Sequence, residues 1–498
     1  MESTGRTPIR VDDHGRTQLE VKAHYPVTAA KRDRYTVDFW LFVPGPLRMD
    51  ADEYGVDGFL ADVKCQTRMS PSFMPVSRIA DPNCKISPLT RIRRELENAA
   101  LPGDILTKRI LYELRTLANI YGTETSASES IIAEAVNEGR MNAVKDAIKA
   151  NLKDIKSFLD SWRDLYGLFL EPAVGTELRE AYAWTDESIS LATEQMLARL
   201  HRSIVADEEA PSLTRRILRL AEAETERRRS MGYESLAGGF SKLEAEKRIY
   251  REGILKKWGQ SALYLTQEES GASKKIGQII AGAAAAAAMA FAVAATLLAE
   301  KYLPGRNAAW VLVVVIAYIF KDRIKETLRA VLLHTLPSLI SDTRIRLVDQ
   351  ASGRRVGRVS SRVRFLKGRS APGGVRRLRA AGENPLRRIL PEEDLIHFRR
   401  NILIRNDRLG KSHTRLADLS DIIRFKLDRC LREMDDPEKT FPMFVDDAVL
   451  DVTGRRVYHI NLIVGLSRSG EGLKTRVRYR LVLSRKGLER IEELDSLS

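Results

Sequence analysis

Between Ile276 and Phe320 the chain reads IGQIIAGAAAAAAMAFAVAATLLAE, then KYLPGRN, then AAWVLVVVIAYIF. No charged side chain lies between Lys275 and Glu300, and none between Arg306 and Lys321. In a chain with 30% charged residues, this pattern predicts a membrane hairpin of two apolar helices. The first run, Ile276 to Ala299, would extend roughly 36 Å at about 1.5 Å per residue, enough for a bilayer core of about 30 Å. Gly282, Ala286, Ala290 and Ala294, four apart, offer a face on which another helix can pack closely. The second run, Ala308 to Phe320, is shorter, roughly 20 Å as a helix. It is expected to gain length from Leu303 and from snorkelling Lys321, Arg323 and Lys325. A re-entrant or core-buried hairpin is the other reading.

The flanks predict an orientation. Lys256, Lys257, Lys274 and Lys275 precede the hairpin, and Lys321, Arg323, Lys325 and Arg329 follow it. Only Lys301 and Arg306 stand in the connection. The positive-inside rule then puts both termini in the cytoplasm, with Trp310 and Tyr318 at the lipid–water boundary.

A hydrophobic share of 44% over 498 residues is ordinary for soluble material, so the apolar run is an insert in a mainly soluble protein. The net charge of +15 is unevenly placed: residues 321–498 hold 39 Lys and Arg against 24 Asp and Glu, the whole excess. Such asymmetry predicts that the C-terminal part meets something anionic. Cys65, Cys84 and Cys430 are odd in number and lack CxxC spacing, which argues for reduced thiols in a cytoplasmic compartment. MESTGRTPIRVDDHG has no apolar h-region and is not read as a signal peptide.

In order, the pattern predicts an α+β membrane-anchored protein in four parts. Residues 1–100 are β-rich, with QLEVKAHYPV and RYTVDFWLFVP as strands, DGFLADVKCQTRMS as a third, and a helix at PLTRIRRELEN capped by Thr90. Residues 101–275 form a helical bundle. One stripe of Met141, Val144, Ile148, Leu152, Ile155, Leu159, Trp162 and Tyr166 steps by three or four, and Leu178 to Ile204 repeats the pattern. Trp162, Tyr166, Trp184 and Trp258 fit core packing better than a ligand box. The transmembrane helical hairpin, 276–320, comes next, and KDRIKETLRAVLLHTLP continues its second helix. Residues 321–498 form a basic α+β domain with strands in RRVYHINLIVGLS and KTRVRYRLVLS and a helix in LADLSDIIRFKLDRCLREMDDP. With both ends on one side, the terminal β regions are expected to pack together in a shared sheet.

No motif names a reaction. GLSRSGEGLKT puts Glu471 where a phosphate-binding loop needs Lys, between two strands, and is better read as a turn. His14, His24, His201, His334, His397, His413 and His459 show no metal-ligand spacing, so no metal site and no cofactor is expected. The Asp12, Asp13, His14 and Asp446, Asp447 clusters fit solvated turns. The stretch 351–380 holds ten basic residues and no acidic one. Arg354, Arg355, Arg358, Arg362, Arg364, Arg376, Arg377 and Arg379 are read as a solvated strand surface, as a contact for anionic inner-leaflet lipids, or as a nucleic-acid contact. The scarcity of aromatics there disfavours nucleic acid.

YIFKDRIKE, from Tyr318, with YREGILKKW upstream and RVYHINLIV downstream, resembles an uncharacterised family of bacterial membrane-hairpin proteins, from about Tyr250 to the C-terminus. That resemblance implies a bacterial inner-membrane location and carries no activity, ligand or catalytic residue. The sequence thus points to a non-enzymatic scaffold, sensor or regulatory subunit with membrane, protein or homo-oligomeric partners. The alternatives are an enzyme working between the cytoplasmic domains at the membrane surface, and an oligomeric channel.

Overall fold

The structure, a computed structural model, describes residues 8–71, 73–97, 103–205, 211–233, 241–270, 272–302, 308–335, 342–381, 392–413, 416–446, 448–469 and 474–497. Strands β1 (Ile9–Asp13), β2 (Gln18–Pro26) and β3 (Asp33–Val43) come first, followed by helix α1 (Gly55–Asp62) and β4 (Val63–Pro71). The expected third strand therefore begins only at Val63, its first half being α1.

Eight helices follow: α2 (Val76–Ala80), α3 (Pro88–Glu97), α4 (Asp104–Asn137), α5 (Met141–Arg163), α6 (Tyr166–Leu170), α7 (Thr176–Ile204), α8 (Pro211–Ser230) and α9 (Lys242–Ser261). Thr90 lies inside α3, where its hydroxyl donates to Asp81 O, rather than at its cap. Their apolar stripes meet in one core in which Val144, Ile148, Ile155, Phe158 and Trp162 are fully buried. Beside it α7 carries a polar ladder. Asp186 accepts from Trp162 Nε1 at 2.8 Å and pairs with Arg227, and Glu187 pairs with Arg251.

The chain then forms β5 (Thr266–Glu269), α10 (Ala272–Tyr302), α11 (Ala308–Thr335) and β6 (Thr343–Val348). Next come β7 (Arg355–Lys367), α12 (Gly373–Ala380), β8 (Asp394–Ile404), α13 (Asn406–Ser412), β9 (Leu416–Lys426) and α14 (Asp428–Arg432). It closes with β10 (Glu438–Val445), β11 (Ala448–Arg455), β12 (Tyr458–Arg468), β13 (Lys474–Ser484) and β14 (Gly487–Leu497). The helix expected in LADLSDIIRFKLDRCLREMDDP is mostly strand β9. Leu419, Ile423 and Leu427 fit a four-residue step, but Leu419, Asp421, Ile423 and Phe425 alternate inward, and the buried Asp421 hides that alternation in the sequence.

Two antiparallel sheets enclose a common core. One has the order β14-β13-β12-β3-β8-β7-β6-β5, the other β1-β2-β9-β4. β3 lies between β8 and β12, and β9 between β2 and β4, so both sheets mix strands from the two ends of the chain. Phe39, Phe398, Phe59 and Phe425 pack between the sheets. One ion pair crosses this core: Arg400 on β8 donates to both carboxylate oxygens of Asp421 on β9, at 2.7 and 3.1 Å. The bundle is joined to the sandwich by a buried chain in which His413 contacts Asp349 and the Tyr112 hydroxyl of α4, each at 2.7 Å.

The expected two-helix transmembrane hairpin is corrected. α10 and α11 do pack together, but among the described residues only Gln278–Tyr302 of α10 is long and apolar enough to cross a membrane. α11 fails because Lys321, Asp322, Arg323, Lys325 and Glu326 follow an apolar stretch of roughly 20 Å. A crossing by α10 alone would leave β5 and β6 on opposite sides of the bilayer. Their pairing, Thr266 with Val348 through Glu269 with Ile345, does not permit that.

Removing one partner of a buried ion pair leaves an uncompensated charge, at a cost of about 3–5 kcal/mol. Asp421→Ala should therefore lower the urea midpoint of the sandwich sharply. Arg400→Met combined with Asp421→Leu should recover most of the loss.

Candidate membrane-contact site

The α10–α11 pair leaves the sandwich at the β5–β6 edge and carries its apolar side chains outward. Leu297, Leu298, Val311, Leu312, Ile319 and Phe320 are all exposed. Only 17% of the most apolar window of α10 is buried, so it is not the core helix of a soluble domain. The helices meet along Ala284, Ala288 and Ala299 of α10 and Ala317 of α11, which are buried.

The packing face expected from the sequence is corrected. Gly282, Ala286, Ala290 and Ala294 are exposed, and a Cβ on Gly282 would meet nothing within 4 Å. In an unbroken alanine run every four-residue series looks alike, so spacing could not choose the face. The bulkier Ile280, buried just before Ala284, is the available cue.

Polar anchors frame the apolar part. At the end of α10, Lys301 stands over the Tyr302 ring. At the other limit the Lys321 ammonium lies 3.8 Å from the Tyr318 ring centre, and Arg323, Lys325 and Arg329 are exposed beyond it. Trp310 is half-buried. Lys274 and Lys275 belong to the first turn of α10, and their side chains lie outside the described residues.

The same sheet edge opens onto a basic face. Along β7, Val359, Ser361 and Val363 point into the core, and Arg358, Arg362 and Arg364 point out. Register places Arg346 opposite Arg358, Arg399 opposite Arg362, and His397 opposite Arg364. Cross-strand neighbours share a face, so Arg344, Arg346 and Arg399 extend the patch onto β6 and β8. These three were not singled out in the sequence because they lie on other strands. Burial and the neighbouring Arg364 and Arg399 charges push the Arg362 pKa down, with Asp342 opposing.

At the centre of the sheet Asp38 accepts from His397 Nε2 at 2.7 Å and Arg399 Nε at 2.6 Å. Burial acts to raise its pKa, but these hydrogen bonds and the Arg399 charge outweigh it and hold the carboxyl below the usual aspartate range. His397 stacks on Trp40 at 5.3 Å, and Gly465 leaves room for that indole, since a Cβ there would lie 3.0 Å from it.

The eight arginines expected to form one anionic-surface contact do not act together. Arg358, Arg362 and Arg364 form the patch. Arg354 and Arg355 lie at the far end of β7, beside Arg405 and Arg408. Arg376 and Arg377 are exposed on α12, which covers Trp40, Phe42 and Ile463. Arg379 is corrected: it is buried, with its guanidinium held by both oxygens of Glu393.

An enzyme reading would look to the cleft of about 500 Å3 between α4, α7 and α9. Of its acids, Glu252 pairs with Arg248 and accepts from Gln195, and Glu129 pairs with Arg199 through one oxygen while its other, buried oxygen has no hydrogen-bond partner among the described residues. Among the described residues no group of three or more His, Cys, Asp or Glu is placed to hold a metal ion. No protein-family model, curated protein or solved structure matches the chain.

Two outcomes follow. Ala284→Leu or Ala288→Leu overpacks the helix contact and should lower thermal stability by about 1–3 kcal/mol, whereas Ala286→Leu on the open face should be silent. Asp38, its pKa depressed on folding, contributes stability above the ordinary aspartate range and loses it as pH falls through the lowered value. Asp38→Asn should therefore be less stable than wild type at neutral pH, with the difference in urea midpoint vanishing in strong acid.

Proposed function

We propose that this protein is a non-enzymatic scaffold that docks on an anionic membrane from one side. The tip of the α10–α11 pair enters the lipid, and the sandwich and bundle stay together on the entry face. The observation that carries the reading is the closed excursion: apolar helices with open flanks leave one sheet at β5 and return to it at the adjacent β6. Both ends of the pair are thereby held on one side.

The insertion depth follows from charge. From Ala308 to Phe320 the apolar length is roughly 20 Å, less than the bilayer core of about 30 Å. The pair therefore dips into the bilayer without leaving its far face. Lys321, Arg323, Lys325 and Arg329 then meet the headgroups, and Arg358, Arg362 and Arg364 stand on the neighbouring strand face. Each well-placed cation adds about 1 kcal/mol on an anionic surface. An inner leaflet of a bacterial membrane has the required charge.

Vesicle flotation tests this. The full chain should float with phosphatidylglycerol vesicles and much less with phosphatidylcholine vesicles. Val311→Asp with Ile316→Asp, on exposed positions, should abolish flotation with the far-UV spectrum unchanged. Arg362→Glu with Arg364→Glu should weaken it by about tenfold or more, in a salt-dependent way. Undiminished flotation of the Val311→Asp, Ile316→Asp variant would rule the reading out.

A further inference from the structure

Helices α4 and α9 flank α7 and leave between them a cleft of about 500 Å3, within the range of small-molecule sites. Asn119 on α4 donates to Gly259 O on α9 and draws the two helices together at one end. Toward the other end the pairs Glu129–Arg199 and Gln195–Glu252 tie the walls to α7. The floor is apolar, with Leu191, Met196 and Leu255 buried. Gly122 sits in the α4 wall, in the helix interior where glycine is destabilising, yet a Cβ there would meet nothing within 4 Å. No packing contact requires this glycine, and its missing side chain keeps the cleft open.

We propose that this cleft binds a free aliphatic amino acid, its ammonium toward α4, its carboxylate toward Lys256 of α9 and its side chain on the apolar floor. Hydrogen bonding sets the polarity of the α4 wall. The Thr123 and Thr125 hydroxyls donate to Asn119 O and Tyr121 O, at 2.8 and 3.0 Å. Asn119 Nδ2 donates to Arg115 O as well as to Gly259 O. With their hydrogens spent inside the protein, these groups offer a ligand lone pairs, which suit a group rich in donors.

Charge selects the same orientation. Glu129, Arg199, Glu252 and Lys256 are the charged residues of the lining, two of each sign, so the cleft suits a ligand of zero net charge. Glu252 is fully used, accepting from Arg248 at 3.0 Å and from Gln195 at 3.1 Å. Glu129 gives one oxygen to Arg199, and its other, buried oxygen has no partner among the described residues. Burial pushes the Glu129 pKa up, with Arg199 opposing, and a further cation nearby would favour its charged form. Lys256 is exposed and has no ion-pair or hydrogen-bond partner among the described residues. A half-compensated anion on one wall and an unpaired cation on the other complement a zwitterion.

Simpler ions fit less well. A polyamine would bring more positive charge to Lys256 and Arg199, and a carboxylate without an ammonium would set a second anion near Glu129. Leu191, Met196 and Leu255 favour an apolar side chain over a polar one. None of the lining residues belongs to α10 or α11, so the site can be filled or blocked without touching the lipid-facing helices.

The test is isothermal titration calorimetry on the full chain in mild detergent, with L-leucine, L-isoleucine and L-methionine as probes. At least one should give a saturable isotherm with one site per chain. For L-leucine as the binder, 4-methylpentanoate lacks the ammonium and 3-methylbutylamine lacks the carboxylate, and each should bind at least about tenfold more weakly. Gly122→Leu fills the cleft and should abolish binding while raising the thermal midpoint, since it removes a glycine from a helix interior. Lys256→Met alters only an exposed side chain and should weaken binding by about tenfold or more at an unchanged thermal midpoint. Silence of all three amino acids would overturn the proposal, as would an analogue lacking either charge that binds as tightly as its parent. So would a Gly122→Leu or Lys256→Met variant that binds like wild type.

Discussion

The Arg400–Asp421 pair is the contact on which the sandwich turns. It occupies the middle of an otherwise apolar core and joins a central strand of one sheet to a central strand of the other. Each group keeps further partners: Ser361 accepts from Arg400 at 3.3 Å, and the Thr67 hydroxyl donates to Asp421 at 3.2 Å. Strands β4, β7, β8 and β9 therefore converge on one charge pair. Burying two ions adds little net stability over an apolar isostere. Its geometric demand is strict, because a one-residue slip of either strand would turn one charge outward and leave the other alone. Burial also pushes the adjacent Cys65 thiol up to about 11, which keeps it protonated and inert.

With the two sheets in register, everything else hangs from their margins. The helical bundle is an insertion between β4 and β5, and the α10–α11 pair an insertion between β5 and β6. Each leaves and re-enters the β framework at neighbouring strands. The apolar pair and the arginine-rich strand face consequently lie at one edge of one sheet, an arrangement that suits simultaneous contact with lipid tails and headgroups.

Much of this was legible in the chain. The stripes of α5 and α7 keep helical period because each helix buries a single face, and β12 and β13 read as strands although β12 is covered on both sides, by the core and by α12. The shared sheet was foreseeable once both ends of the apolar run were placed together. What failed did so for identifiable reasons. Asp421 interrupts the apolar alternation of β9, so a four-residue step looked like helix. The alanine run of α10 carries no contrast with which to choose a face. The arginines of 351–380 are close in sequence, yet strand alternation and the insertion of α12 send them to different surfaces, while Arg399 joins Arg362 from another strand. Proximity along the chain is a poor guide to a patch built across strands.

The position of β3 also governs how the protein is made. Asp38 meets His397 from 359 residues away, and both strands flanking β3 come from the last quarter of the chain. At roughly 5–20 residues per second, the ribosome releases those neighbours tens of seconds after β3 has emerged. Throughout that interval Phe39, Trp40, Leu41 and Phe42 have no native cover, while the bundle, built of near neighbours, can already fold. The nascent chain is thus a finished helical domain trailing an unpaired aromatic strand, a natural substrate for holding chaperones until synthesis ends.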